Sequence, residues 1–171
     1  MKRLTLVRHA KSSWKDPELA DFDRPLSKRG KQDAPLMGER LAGLNPRPEL
    51  IISSPAKRAR KTAKLIAREL ELPDDRLILE TEIYEAEPEI LLKMVRGLDD
   101  RWAHVLLVGH NPGLTELGNL LADCGIANIP TCGVLCLDFD AEAWKSLGPR
   151  SGTLIFYDYP KNPSTGSRQP S

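Results

Sequence analysis

An arginine and a histidine stand side by side at Arg8-His9, directly after the apolar run Leu4-Thr5-Leu6-Val7. Imidazole is largely neutral and nucleophilic near pH 7, and a guanidinium offers a planar fork to phosphate oxygens. The pair suits the handling of a phosphoryl group, although such a dipeptide alone reads more simply as a solvated strand end. Two further stretches change the balance: Ser53-Ser54-Pro55-Ala56-Lys57-Arg58 and Val108-Gly109-His110-Asn111-Pro112-Gly113. Two histidines and two or more arginines around one pocket suit phosphoryl transfer. One imidazole nitrogen attacks phosphorus in line and carries the group covalently, while the arginines neutralise charge on the equatorial oxygens. A backbone carbonyl bonded to the other ring nitrogen would fix the tautomer. No glycine-rich phosphate loop or cluster of acidic metal ligands accompanies these residues, so neither a metal nor a cofactor is implied.

The elements around these residues decide whether they can meet. Arg3–Val7 reads as a buried strand. The stretch from Ala10 to Leu26 is long for a connection and holds Trp14 and Phe22; connections of that length are often functional. Ser27 is the expected N-cap of a helix reaching about Leu44, with a kink at Pro35. Glu49–Ser53 reads as a second strand, followed by a helix that Ser54 caps and Pro55 opens. Ala59, Thr62, Ala63, Ile66, Ala67 and Leu70 form its buried stripe. The basic residues Lys57, Arg60, Lys61, Lys64 and Arg68 read as its solvated side rather than a nucleic-acid patch. Arg58 differs, because a first-turn side chain leans back toward the helix N-terminus.

Further along, Leu77–Glu80 is a weak strand and Pro88–Leu98 a helix. His104–Gly109 is the clearest strand, and it leads to a helix with Asn111 as cap, Pro112 at its first position and Gly125 as its stop. Gly133–Phe139 and Thr153–Tyr157 are the last strands, with a short helical piece around Ala141–Leu147. Strands alternating with helices predict a three-layer α/β/α sandwich with a largely parallel central sheet. Ligands of such sheets bind beyond the carboxyl ends of the strands. Arg8-His9, Arg58 and His110 all fall there. His110, just before a helix, is placed to donate to a phosphate with the helix dipole behind it.

Composition narrows the setting. The chain has 171 residues and a formal net charge of +1, so nothing global draws it to nucleic acid or to an acidic membrane. The expectation is a single domain over 1–160 and a disordered, Pro/Ser/Gly-rich tail over 161–171. No apolar run is long enough to span a bilayer, and the N-terminus lacks a secretory pattern. The three cysteines and three histidines carry no paired spacing for zinc and read as reduced thiols and ordinary side chains. His104, at a strand start, reads as structural. A cytoplasmic, metal-free protein is the expectation.

Taken together, Leu6-Val7-Arg8-His9-Ala10, Ser53 through Ala63 and Val108 through Gly113 resemble the motifs of the histidine phosphatase superfamily, with its phosphoglycerate mutase-like fold. The resemblance extends to about Tyr159. It implies that His9 is the phosphorylated nucleophile and that Arg8, Arg58 and His110 bind the phosphate. With Arg24-Pro25-Leu26 in the first long loop, the chain looks like the SixA-type phosphohistidine phosphatases, which adds Arg24 as a phosphate or substrate contact. Lys11 and Ser12 are further candidates for the pocket. Two departures stand out. The family's commoner Arg-His-Gly is Arg8-His9-Ala10 here. Larger members also carry a mid-chain acid as proton donor, and here only Glu82 and Glu85 lie in that region. Glu85 is the candidate general acid, against a surface carboxylate as the alternative.

An alkoxide leaving group benefits from a general acid, whereas a protonated phosphoimidazole departs readily without one. A site with no assured acid, in a chain too short for a cap domain, suits a phosphohistidine-bearing protein. The alternatives are a phosphatase of small phosphomonoesters, such as a sugar phosphate or nucleotide, and a non-catalytic phosphate-binding module.

Overall fold

The structure, a computed structural model, describes residues 1–162. Six strands form one sheet: β1 (Lys2–Arg8), β2 (Leu50–Ser53), β3 (Leu77–Leu79), β4 (His104–Gly109), β5 (Val134–Phe139) and β6 (Gly152–Asp158). Their order is β3-β2-β4-β1-β5-β6. The β3-β2-β4-β1 block is parallel, β5 runs antiparallel to β1, and β6 antiparallel to β5. Four α-helices accompany them: α1 (Lys28–Ala42), α2 (Lys57–Glu69), α3 (Pro88–Arg96) and α4 (Gly113–Ala122).

The central strands are apolar on both faces, as strands covered on both sides must be. Along β1, Leu4 and Leu6 join the core under α3 and α4, while Val7 joins the core under α1 and α2. In β4 the same alternation sends Val105 and Leu107 one way and Leu106 and Val108 the other. Each face is closed by an amphipathic stripe. Ala59, Ala63 and Ile66 of α2 and Met37 and Leu41 of α1 cover one side, and Leu114, Leu117 and Leu121 of α4 with Leu91 and Val95 of α3 cover the other. The result is the expected three-layer α/β/α sandwich. β1 hands the chain to α1 on one face and its neighbour β4 hands it to α4 on the other, so a crevice opens beyond their carboxyl ends.

Several local expectations change. Ser27 caps α1, its hydroxyl accepting from Gly30 N, and α1 continues through Pro35. Ser54, expected as the cap of α2, is not: α2 begins at Lys57 after Ala56 with no side-chain cap. The Ser54 hydroxyl is held by Ala56 N–H and by His110 instead. Pro112 precedes α4 rather than opening it. The cap position of α4 is thus Pro112 and not Asn111, which stands one residue earlier with its Oδ1 accepting from the Thr115 amide and hydroxyl. α4 stops before Gly125, at Asp123, whose left-handed backbone (φ 49) is one that aspartate tolerates. The helical piece near 141–147 shrinks to one 3-10 turn, Trp144–Ser146. Of the expected tail 161–171, Lys161 lies in a turn, and residues 163–171 lie outside the described residues. Among the described residues no helix is long and apolar enough to cross a membrane.

Candidate active site

Four chain segments converge at the crevice. Arg8 is the last residue of β1, paired with Gly109 at the end of β4, so His9 and His110 leave adjacent strands at the same level. His9 N–H donates to Gly109 O, and Cys132 N–H donates to the carbonyls of Arg8 and His9. Arg58 arrives from the first turn of α2, anchored by Thr62, whose hydroxyl donates to Arg58 O and accepts from Ala10 N–H. The long loop is pinned where Ser27 N–H and hydroxyl both donate to Lys11 O. Gly30 makes this approach possible, since a Cβ there would stand 2.2 Å from Lys11 O.

The resulting pocket has a volume of about 360 Å³ and brings together Arg8, His9, Lys11, Arg24, Arg58 and His110. Ser12, Trp14, Asn111 and Thr131 complete its lining. Glu85 is exposed, lies outside that lining and has a left-handed backbone (φ 57). Glu82 is exposed in the 3-10 turn Thr81–Ile83. No carboxylate lines the pocket among the described residues.

His9 is 7 % exposed. Its Nδ1 lies 2.8 Å from Ala10 O. A carbonyl can only accept, so Nδ1 carries the hydrogen and Nε2 keeps its lone pair. Arg58 Nε–H points at that lone pair from 3.4 Å. Burial, with the His110 ring and the two guanidiniums adding to it, pushes the His9 pKa down to about 3. His110 is lowered to about 4, first by burial and then by Arg58. Its Nδ1 faces Arg58 Nη2 at 3.5 Å and its Nε2 lies 2.8 Å from Ser54 Oγ. Because the guanidinium can only donate, Nε2–H of the neutral ring donates to the serine. The two imidazoles lie 5.1 Å apart, centroid to centroid.

The cations are arranged around these rings. Arg8 donates from Nη1 to Ile129 O, while its Nε–H is buried without an acceptor. Burial and then Arg58 lower the Arg8 pKa. That N–H and the fork of Arg58 are the donors an oxyanion would meet. Arg24 donates to Ser12 Oγ at 2.8 Å and lies 3.4 Å over the Trp14 ring. Trp14 is 74 % exposed, so it forms part of the pocket's rim rather than an anchor in the core.

Sequence reasoning missed Asp21 and Tyr84. Asp21, in the 3-10 turn Asp21–Asp23, accepts from Arg58 Nη1 through its carbonyl (2.7 Å) and from Nη2 through Oδ2 (3.0 Å). Tyr84 donates to the same Oδ2 at 2.6 Å and sets its ring edge-on to His110. The tyrosine hydrogen bond, followed by Arg58, holds Asp21 ionised with a pKa lowered to about 2, and Tyr84 is raised to about 12. The carboxylate three residues before Arg24 was the available signal for Asp21; nothing marked Tyr84. His104 is structural, bonded to Thr5 Oγ1 and Pro46 O.

Residues 4–88 match the histidine phosphatase superfamily (branch 1). An uncharacterised protein of Mycobacterium leprae is 31 % identical over 168 residues, covering 91 % of this chain and 100 % of that one. A SixA phosphohistidine phosphatase candidate from Agrobacterium tumefaciens superposes with a TM-score of 0.79 at 29 % identity, over 93 % of this chain and 98 % of that structure. The protein histidine phosphatase SixA complexed with tungstate shares the fold, with a TM-score of 0.78 at 22 % identity over 92 % and 97 % of the two chains. This protein is a phosphatase belonging to the histidine phosphatase superfamily.

Proposed function

We propose that the phosphatase works through a phosphohistidine at His9, needs no metal, and takes phosphohistidine in a protein as its substrate. The observation that carries the nucleophile is the Nδ1–H of His9 on Ala10 O, which leaves Nε2 unprotonated, its lone pair facing Arg58 Nε–H at 3.4 Å. In the first step the Nε2 lone pair forms an N–P bond as the bond from phosphorus to the leaving imidazole nitrogen breaks, and the electron pair departs with that imidazole. Arg8 and Arg58 carry the charge that builds on the equatorial oxygens, so a metal has no part left to play. Water then attacks phosphorus as the N–P bond breaks; the electron pair returns to Nε2, and both protons of the water leave with the product as dihydrogen phosphate. Arg24 and Lys11 add positive charge at the entrance, and His110 lies beside the reacting centre.

The substrate follows from the acids. With no carboxylate in the lining and Asp21 held ionised far below neutrality, no group is poised to protonate an alkoxide. A protonated imidazole leaving group needs no such donor. Likeness to SixA-type structures supports the same reading.

The test is turnover, with EDTA present, of a phosphohistidine peptide against a panel of sugar phosphates and nucleotides. The peptide should be preferred, an acid-labile phosphoenzyme should form, and His9→Ala should abolish both. Preference for a monoester would overturn the substrate, and full activity of His9→Ala would overturn the mechanism.

A further inference from the structure

The outer side of α2 carries charge that the active site does not use. Lys57, Arg60, Lys61, Lys64 and Arg68 fall within an arc of about 100° on a helix of 3.6 residues per turn. They make a stripe about 16 Å long at 1.5 Å per residue. All but the half-buried Arg60 are exposed. Among the described residues none of the five is in an ion pair, whereas Arg3, Arg24, Arg29, Arg40, Arg58 and Arg101 each have an acidic partner. Like charges three and four residues apart repel along a helix. The first turn of α2 also has no acid of its own to offset Lys57 at the positive end of the dipole. In a chain whose net charge is only +1, this concentration is local and unrelieved.

The stripe also lines two open clefts. One, of about 320 Å³, lies between α2 and the start of α1, with Lys31 added to the stripe and Pro25 and Leu26 as its apolar wall. The second, of about 660 Å³, shares Arg60 and Lys64 with the first and runs on past Arg68 to Leu72, Leu77 and Leu79, with Asp74 its one carboxylate. Leu79 and its neighbour Ile78 are exposed on β3, the edge strand of the sheet. The stripe starts at the residue before Arg58, and the first cleft begins at the residue after Arg24. The stripe and Arg58 thus leave the same first turn of α2, and the first cleft and the phosphate pocket are lined by successive residues of the long loop, Pro25 and Arg24.

We propose that this stripe docks an acidic, leucine-containing segment of the phosphorylated protein, presenting its phosphohistidine to His9. The inference rests on the substrate reading above. Carboxylates match the cations and apolar side chains match the leucine wall. No aromatic residue lines either cleft, so nothing there offers the stacking platform of a single-stranded nucleic-acid groove.

The experiment compares two synthetic phosphohistidine peptides, one extended by a Glu- and Leu-containing segment and one with every Glu replaced by Gln. Both are tested on wild type and on the exposed-site variant Lys61→Glu/Lys64→Glu/Arg68→Glu, with a small phosphoramidate as reference substrate. Wild type should favour the acidic peptide about tenfold in kcat/KM, through KM, at low salt. About 0.5 M NaCl or the triple variant should erase the preference, and both proteins should hydrolyse the small phosphoramidate equally. Equal use of the two peptides by wild type, or a preference that survives in the variant, would overturn the proposal. Should wild type hydrolyse neither peptide, the substrate reading fails instead. Fluorescence anisotropy with the unphosphorylated acidic peptide then decides docking alone: binding that the variant loses supports it, and no binding sinks it. Tighter binding of a single-stranded oligonucleotide than of the acidic peptide would also overturn the assigned occupant.

Discussion

Asp21 and Arg58 meet twice, Nη1 donating to the Asp21 carbonyl at 2.7 Å and Nη2 to its carboxylate at 3.0 Å. The carboxylate thus competes for the donors a phosphate would use, and Tyr84 steadies it there. The same two contacts turn the Nε edge of Arg58 toward His9. Asp21 is therefore a positioning residue that also raises the electrostatic cost of bringing an anion in.

Asp21→Asn keeps the carbonyl contact and a side-chain acceptor but removes the competing charge. Inorganic phosphate should inhibit this variant more tightly, by about tenfold for one unit charge removed close to an anion. The check is the competitive inhibition constant of phosphate, which a purely structural loss would weaken instead. An unchanged or weaker constant refutes the competition.

Arg8 offers a different test. Its Nε–H is buried without an acceptor, a state that costs roughly 1–3 kcal/mol unless something satisfies it, and a phosphate oxygen would do so. Arg8→Lys keeps a positive charge but loses the fork. We expect kcat/KM to fall by about a hundredfold, near 3 kcal/mol, with the fold intact by circular dichroism. A loss of less than threefold would show that charge alone suffices.

Much of this arrangement was legible in the chain. The apolar runs ending at Arg8 and Gly109 became β1 and β4, and their pairing puts His9 beside His110 as strand-end logic required. Arg58 was legible from the first-turn position alone. The Asp21–Tyr84 bond was not, because it joins two loops 63 residues apart and neither residue has a local pattern. Ser54 misled for a physical reason: a serine before a proline and a helix looks like a cap, and only the fold brings His110 within reach of its hydroxyl. The His9 tautomer depends on ring orientation, which no sequence carries.

Trp14 lies under Arg24 with its ring mostly exposed. Cation–π stacking at an exposed site is worth about 0.5–1 kcal/mol. Trp14→Ala should therefore raise KM about two- to fivefold on every phosphorylated substrate and leave kcat unchanged, as steady-state kinetics would report. A fall in kcat with KM constant would mean that the ring acts on the reacting geometry and not on capture.

Acid should destabilise the fold through the histidines. Each has an ordinary value of 6.5, and burial lowers His104 and His110 to about 4 and His9 to about 3. The folded chain therefore holds the rings neutral in a range where the unfolded chain protonates them. Stability is fully present above pH 6.5 and is lost as pH falls from there toward 4, because the unfolded state binds more protons throughout that window. A shift of this size corresponds to an upper figure of roughly 3 kcal/mol for a fully buried ring such as His104. The Asp21 contribution is lost only lower, from pH 3.8 downward through about 2, so it does not mask the effect. The melting temperature should drop by about 10 °C between pH 7 and pH 4.5. His104→Gln should flatten that slope while lowering the plateau, since Thr5 and Pro46 lose their imidazole partner. Calorimetry across this range checks both. A melting temperature that stays level down to pH 4.5 would mean that the folded chain binds protons at these rings as readily as the unfolded one.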